Sequence, residues 1–263
     1  MIDSPLAKQS LGQNFLADPN LARKLVEALD PQPGETVLEI GPGTGSLTAP
    51  LLESADRLIA VEIDDRLVDY LRERFGDRLD VRHLDILQLD LTALARETGP
   101  LAVLGNLPYY ASSPILFHLL AHRRALSRAV VTLQTELAAR CHAKPGTKDY
   151  GSLTIHLALY AAPQKLFNLP AHVFRPRPKV TSTALRFDFR RPAPVVPRSD
   201  LSLERVVRGA FGQRRKTLHN SLSAAFGRPL ADELLARAAI DGRLRAEALA
   251  PADFVRLADA LEE

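Results

Sequence analysis

The sequence predicts a doubly wound α/β sheet with an antiparallel hairpin at one edge, followed by a small all-α carboxy-terminal domain. Three observations predict it. Apolar runs at 36–40, 58–63, 79–84, 101–104 and 129–133 alternate with helical segments, the pattern of a parallel sheet covered on both faces. Residues 164–169 and 181–189 are strand-like with no helix between them, which makes them antiparallel neighbours at a sheet edge. Beyond the proline-rich stretch 190–198 the periodicity is helical only, at 203–211, 217–225, 230–239 and 251–261. The expected domains are therefore 1–190 and 198–263.

The first helix is marked by Asp18 as its cap, Pro19 at its first position, and Leu21, Leu25 and Leu29 recurring every four residues as one buried stripe. Pro31-Gln-Pro-Gly34 stops it. The first strand runs into Gly41-Pro-Gly-Thr-Gly45 and a new helix; the second strand is followed by an amphipathic helix over 65–75. The fourth strand ends in Asn106-Leu-Pro-Tyr-Tyr110, just before another helix. Residues 134–140 and 152–160 read as helices around an exposed, turn-rich loop at 144–151.

With 263 residues, 46% hydrophobic and 25% charged, the chain can bury a core without covalent staples. No apolar run reaches membrane-spanning length, and the start lacks the features of a signal peptide, so the expected location is cytoplasmic with no membrane partner. Cys141 is the only cysteine, which excludes an intramolecular disulfide and a thiolate metal cluster. His118 and His122 share a helix turn but lack a third ligand, so no metal is expected. The net charge of +3 conceals an asymmetry. Residues 165–216 hold 13 Lys/Arg against 3 Asp/Glu, whereas the remainder holds 21 against 28, so one segment is a basic field suited to a polyanion.

Four strand ends carry residues suited to ligands. A glycine turn between strand and helix, with Gly41 and Gly43, lets backbone N–H groups approach a ligand at the positive end of the helix. Nucleotide, nicotinamide and S-adenosylmethionine sites all use such turns. Glu62 ends the second strand, where a carboxylate can accept from both hydroxyls of a ribose. Asp85 ends the third, where it can accept from an adenine amino group while Ile86 packs beside the ring; this begins to favour S-adenosylmethionine over nicotinamide. At the fourth, the Asn106 side-chain oxygen and the Leu107 carbonyl can accept the two hydrogens of an exocyclic amine. That draws its nitrogen toward tetrahedral geometry and aims the lone pair at a sulfonium methyl. Pro108 stiffens the turn, and Tyr109 offers a stacking face to a base taken out of its own stack.

These residues, with Leu11-Gly-Gln-Asn-Phe-Leu16, Glu39-Ile-Gly-Pro-Gly-Thr-Gly45, Val61-Glu-Ile-Asp64, His83-Leu-Asp85, Tyr150-Gly-Ser-Leu153, Phe174-Arg-Pro-Arg-Pro-Lys-Val180 and Ala210-Phe-Gly-Gln-Arg-Arg-Lys-Thr217, resemble the small-subunit ribosomal RNA adenine N6-dimethyltransferase (dimethyladenosine transferase) family along nearly the whole chain. The resemblance implies a Rossmann-like methyltransferase sheet and S-adenosylmethionine contacts from Asn14, Leu16, Gly41, Glu62, Asp85, Ile86 and Asn106. It implies a target base gripped by Asn106, Leu107, Pro108 and Tyr109, with Phe174 as the opposite stacking face. Four methyls would go to two adjacent adenosines in a hairpin loop near the 3′ end of small-subunit rRNA, on an assembling 30S subunit, with the enzyme a monomer. Arg175, Arg177, Lys179, Arg214, Arg215 and Lys216 are the expected RNA contacts, and 198–263 the rRNA-binding domain. Arginines at 175 and 177, where prolines are common in the family, and Thr181 in place of the usual aspartate, are its departures. The alternatives are a large-subunit rRNA adenine methyltransferase and a ribosome-assembly factor that binds RNA without catalysis.

Overall fold

The computed structural model describes residues 5–8, 12–213 and 215–262; Leu11 and Arg214 lie outside the described residues. The chain divides into two compact units. One comprises residues 1–138 and 163–190, the other 139–162 and 191–263.

The first unit opens with β1 (Phe15–Leu16) and α1 (Pro19–Leu29). The Asp18 carboxylate caps α1 by accepting from the amides of Asn20 and Leu21, and Leu25 and Leu29 of its predicted stripe are fully buried. Then follow β2 (Thr36–Ile40), α2 (Thr48–Ser54), β3 (Arg57–Glu62), α3 (Asp65–Phe75), β4 (Asp80–His83), α4 (Leu91–Thr98), β5 (Leu101–Asn106), α5 (Ser112–Ala121) and β6 (Leu126–Gln134). α6 (Thr135–Cys141) and α7 (Ser152–Tyr160) follow, and the chain returns with β7 (Gln164–Leu169), β8 (Phe174–Arg175) and β9 (Ser182–Asp188).

Seven strands form one sheet in the order β4-β3-β2-β5-β6-β9-β7. β2 to β6 are parallel, and β9 and β7 add the predicted antiparallel pair at the edge. Every residue of β2 is buried, as a strand covered by helices on both faces must be. Successive strands are laid outward from β2 through β3 to β4, and then on its other side through β5 to β6. β2 and β5 therefore flank the point where the winding reverses, where the carboxyl ends of strands leave a crevice.

β6 starts three residues before its apolar run because Ser127 and Arg128, polar in the sequence, are buried. Arg128 is fully engaged there: its guanidinium donates to the carbonyls of Leu29 and Asp30, each at 2.5 Å, and pairs with Glu35 at 2.6 Å. A charge buried with that many acceptors is tolerated, though nothing local in the sequence announces it.

The second unit gathers α7 with α8 (Asp200–Phe211), α9 (Leu218–Phe226), α10 (Arg228–Ala238) and α11 (Pro251–Ala260). The expected linear boundary near 190–198 is thus only one of the crossings, since 139–162 also clusters with the carboxy-terminal helices. The reason is packing. Tyr150, expected on an exposed loop, is buried with its hydroxyl on the Leu249 carbonyl at 2.8 Å, and its ring lies 6.4 Å from that of Phe211.

Candidate functional site

The crevice at the winding reversal is a cavity lined by four strand ends and the amino-terminal segment. At the end of β2, Gly41 and Gly43 adopt φ of 63° and 59°, left-handed conformations that a side chain resists. A Cβ on Gly41 would meet nothing within 4 Å, so its backbone is open to a ligand. One on Gly43 would stand 2.7 Å from the Phe15 ring. The Gly43 amide donates to Glu62 Oε2 at 3.1 Å, and the amides of Ile63 and Asp64 donate to Oε1 at 2.9 and 3.0 Å.

Glu62 is thus a nearly buried carboxylate at the end of β3, held by three backbone donors while still lining the cavity. Burial raises its pKa and the three amides oppose that shift. A carboxylate has about four acceptor positions, so three amides leave room for a hydroxyl donor. Asp85 Oδ1 caps the turn over 86–88 by accepting from the Leu87 amide at 3.0 Å, and the residue also lines the cavity beside Ile86 and Ile63. An adenosine-like group with a ribose fits this donor and acceptor set.

Asn106 ends β5, on the other side of the reversal. Its Nδ2 donates to the Asn14 carbonyl at 2.8 Å and its Oδ1 accepts from the Thr132 hydroxyl. The Leu107 amide donates to the Thr132 carbonyl at 3.3 Å, while the Pro108 carbonyl takes both the Ala111 amide and the Ser112 hydroxyl. The Pro108 carbonyl is thus taken within the chain, while Asn106 and Leu107 line the cavity. Tyr109 lines the cavity, and its hydroxyl is tied to Ser182 Oγ at 2.9 Å, which fixes the ring. Tyr110 also lines the cavity, at 59% exposure, with its ring against Gly12.

Two expected contacts are displaced by strand alternation. β1 pairs antiparallel with β8, Leu16 opposite Phe174 and Phe15 opposite Arg175. Successive side chains on a strand point to opposite faces. Leu16 and Phe174 accordingly go into the core, Phe174 at 1% exposure, and neither lines the cavity. Phe174 is not a stacking face in this arrangement, and Leu16 serves through its carbonyl, which accepts from the Ser46 hydroxyl at 2.6 Å. Phe15, one residue earlier, is the aromatic that reaches the cavity. Asn14 lines it too, and its carbonyl holds Asn106.

Sequence reasoning also missed what anchors that segment. Asp64, almost fully buried, accepts from Lys8 Nζ at 3.0 Å, Gln13 Nε2 at 3.1 Å and the Arg66 guanidinium at 2.7 Å. The Arg66 guanidinium, with Lys8 and Gln13 beside it, holds the Asp64 carboxyl well below the usual carboxylate range. The one signal was its place in Val61-Glu-Ile-Asp64, two residues past the carboxylate that lines the cavity.

Arg175, Arg177, Lys179, Arg215 and Lys216 are all exposed. His118 and His122 hydrogen-bond the Leu89 and His118 carbonyls, each at 3.0 Å. Among the described residues no group of three His, Cys, Asp or Glu could hold a metal ion, and no helix is long and apolar enough to cross a membrane.

Residues 5–263 match the model of the Ribosomal RNA adenine dimethylase family. Curated proteins similar to the chain include Ribosomal RNA small subunit methyltransferase A of Salinibacter ruber, 48% identical over 97% of this chain and 85% of the relative. The protein of that name from Aromatoleum aromaticum is 44% identical over 95% and 92%. Among solved structures, a dimethyladenosine transferase from Plasmodium falciparum superposes with a TM-score of 0.78 at 27% identity, covering 92% of this chain and 95% of that one. The 23S rRNA methyltransferase ErmE gives 0.69 at 26% identity, covering 95% and 100%.

Proposed function

The chain belongs to the ribosomal RNA adenine dimethylase family, and from that membership we propose how its cavity performs the reaction and on which substrate. The protein is an S-adenosylmethionine-dependent methyltransferase that dimethylates adenine in small-subunit rRNA. Identities of 48% and 44% to small-subunit enzymes, against 26% to a large-subunit enzyme, favour the small subunit over the large. S-adenosylmethionine, when bound, supplies an electrophilic sulfonium methyl.

In our reading Glu62 receives a ribose hydroxyl at its remaining acceptor position, Asp85 and Ile86 the adenine edge and face, and the backbone at Gly41 and Gly43 the remainder, with Asn14 closing the cavity from the amino-terminal side. Asn106 Oδ1 and the Leu107 carbonyl accept the hydrogens of the target amine and hold its nitrogen pyramidal. Tyr109, fixed by Ser182, carries the extruded base, and Pro108 limits movement of the turn. No strong base is required, because attack by the neutral amine leaves a methylated arylammonium, whose proton is acidic enough to leave to water. Orientation of this kind can supply about 7–11 kcal/mol of the barrier reduction.

The finer substrate is two adjacent adenosines in a hairpin loop near the 3′ end of the rRNA, presented on an assembling 30S subunit to a monomeric, cytoplasmic enzyme. Arg175, Arg177, Lys179, Arg214, Arg215 and Lys216 contact RNA phosphates, with 198–263 as the rRNA-binding domain. Contacts of that type give affinity and registry, and leave sequence choice to RNA shape and the extruded loop.

The observation that carries this reading is that the Asn106–Tyr109 turn opens into the same cavity as Glu62 and Asp85. The test is labelled methyl transfer to unmethylated small subunits, large subunits and DNA, with mass spectrometry of the product nucleosides. Dimethyladenosine from small subunits alone is the expected result; equal labelling of large subunits would overturn the substrate assignment. Asn106→Ala is expected to bind S-adenosylmethionine with at most a modest loss yet transfer methyl groups about a hundredfold more slowly, as when a donor or acceptor that acts in the transition state is removed.

A further inference from the structure

β6 enters its last turn of sheet through Ala129-Val-Val-Thr-Leu133. Thr132 is the one hydroxyl in this apolar run, and it is 1% exposed. Valine has the same shape and an equal liking for a strand, and burying a hydroxyl costs free energy unless it is bonded. The position therefore favours valine on packing grounds, and the hydroxyl must be explained by its partner. That partner is Asn106 Oδ1. Thr132 and Asn106 are register neighbours on adjacent parallel strands, and the Thr132 backbone carbonyl also takes the Leu107 amide at 3.3 Å.

The oxygen and nitrogen of a primary amide are nearly equal in size, so its two flip states are told apart only by what they bond. The Asn14 carbonyl, 2.8 Å from Nδ2, can only accept. It therefore requires the nitrogen on its side, and the oxygen must then face Thr132, whose hydroxyl donates. An amide carbonyl has two lone pairs; one is engaged by Thr132 and one remains. In the opposite flip state the amide would turn N–H donors toward an incoming amine, and two donors facing each other leave the amine unheld.

We propose that Thr132 is a positioning residue for methyl transfer. With the Asn14 carbonyl it locks the Asn106 amide in the flip state and plane that offer the free lone pair of Oδ1 to the target amine. This rests on the assignment of Asn106 as the amine acceptor, and it adds that the acceptor is not self-orienting but set by a buried hydroxyl on the next strand.

Thr132→Val keeps the shape and removes only the hydroxyl; Thr132→Ser keeps the hydroxyl. The measurements are the single-turnover rate on unmethylated small subunits at saturating S-adenosylmethionine, cofactor affinity by calorimetry, and the melting temperature. Thr132→Val is expected to transfer about tenfold more slowly, the scale of one lost hydrogen bond. Its cofactor affinity should stay within about twofold of wild type and its melting temperature should be unchanged or higher, as the apolar packing predicts. Thr132→Ser should recover most of the rate, and Thr132→Ala, which does not depend on how valine fits, should be slow as well. A wild-type rate in Thr132→Val and Thr132→Ala, or slowing in Thr132→Ser equal to that in Thr132→Val, overturns the proposal. A near-normal rate in Asn106→Ala would instead remove the amine-acceptor assignment, and this inference with it. Slow Asn106→Ala beside normal Thr132→Val would remove the inference alone.

Discussion

Glu39 is a carboxyl that the fold keeps protonated. It is wholly buried in β2; its Oε2 accepts from the Thr48 hydroxyl at 2.7 Å, and its Oε1 has no hydrogen-bond partner among the described residues. Burial, with a smaller contribution from Glu62, pushes its pKa up from 4.5 to about 8. Between those values the folded protein holds a proton that the unfolded chain has released, so this group's contribution to stability is full below pH 4.5 and is lost as pH rises to about 8. Glu39→Gln, permanently neutral and able to keep the Thr48 contact, should remove that dependence. The difference in melting temperature between the two proteins, followed from pH 4.5 to 8.5, should move in favour of the variant as pH rises; a flat difference would show that Glu39 is not proton-linked to folding. The residue scale is also where the sequence was most and least legible. Glu62 and Asp85 stood out because a carboxylate closing an apolar strand has no packing reason to be there. Phe15 and Leu16 were not separable, since both are apolar and only the pairing of β1 with β8 decides which one turns inward.

At the scale of elements, the short β1 segment closes one side of the cavity although it is two residues long. It cannot be held by its own ladder, and the latch is Asp64 at the start of α3, where Lys8, Gln13 and Arg66 converge. The Arg66 guanidinium and the Lys8 ammonium keep Asp64 ionised throughout the neutral range, so the latch contributes fully above the normal carboxylate pKa and is lost only in strong acid. Asp64→Asn should free the segment that carries Gln13, Asn14 and Phe15 to the cavity. The expected outcome is about a tenfold weaker S-adenosylmethionine affinity, on the scale of one buried charged contact, with faster proteolytic cleavage before residue 18. Unchanged cleavage would show that the segment is held without Asp64. Element positions were otherwise well marked by capping and periodicity, as in Asp18 before α1 and Asp65–Phe75 for α3. The start of β6 was hidden because the partners that make Arg128 tolerable come from residues 29, 30 and 35.

At the scale of the whole molecule, charge is segregated along the chain. Residues 165–216 carry a net +10 in a protein whose total is +3. Arg175, Arg177, Lys179, Arg215 and Lys216, exposed residues of this segment, are among the proposed phosphate contacts, and each phosphate neutralised releases counterions, so the affinity for rRNA should fall steeply with salt. Arg215→Glu with Lys216→Glu should weaken binding to small subunits and lower the slope of log Kd against log salt by about 2. Cofactor affinity should be nearly intact, because neither residue lines the cavity. Equal loss of cofactor and subunit binding in the same titrations would refute that division of labour. The two compact units also interleave along the chain, with 139–162 belonging to the unit of the terminal helices. Periodicity located α7 correctly, but which unit a helix joins depends on what buries its apolar faces, and that information lies at residues such as Leu249, far along the chain.

The sequence by itself determined the sheet, its edge hairpin, the helical carboxy-terminal part, the family and the four strand ends that meet at the cavity, because each rests on local periodicity, turn chemistry or a contiguous motif. The tertiary structure alone decided that Phe15 and not Leu16 or Phe174 faces the cavity, that Asp64 ties down the amino-terminal segment, and that Thr132 and the Asn14 carbonyl orient Asn106. The physical reason is common to all three. Each is a hydrogen bond or a burial shared between residues tens of positions apart, and no local pattern encodes a partner that only folding brings near.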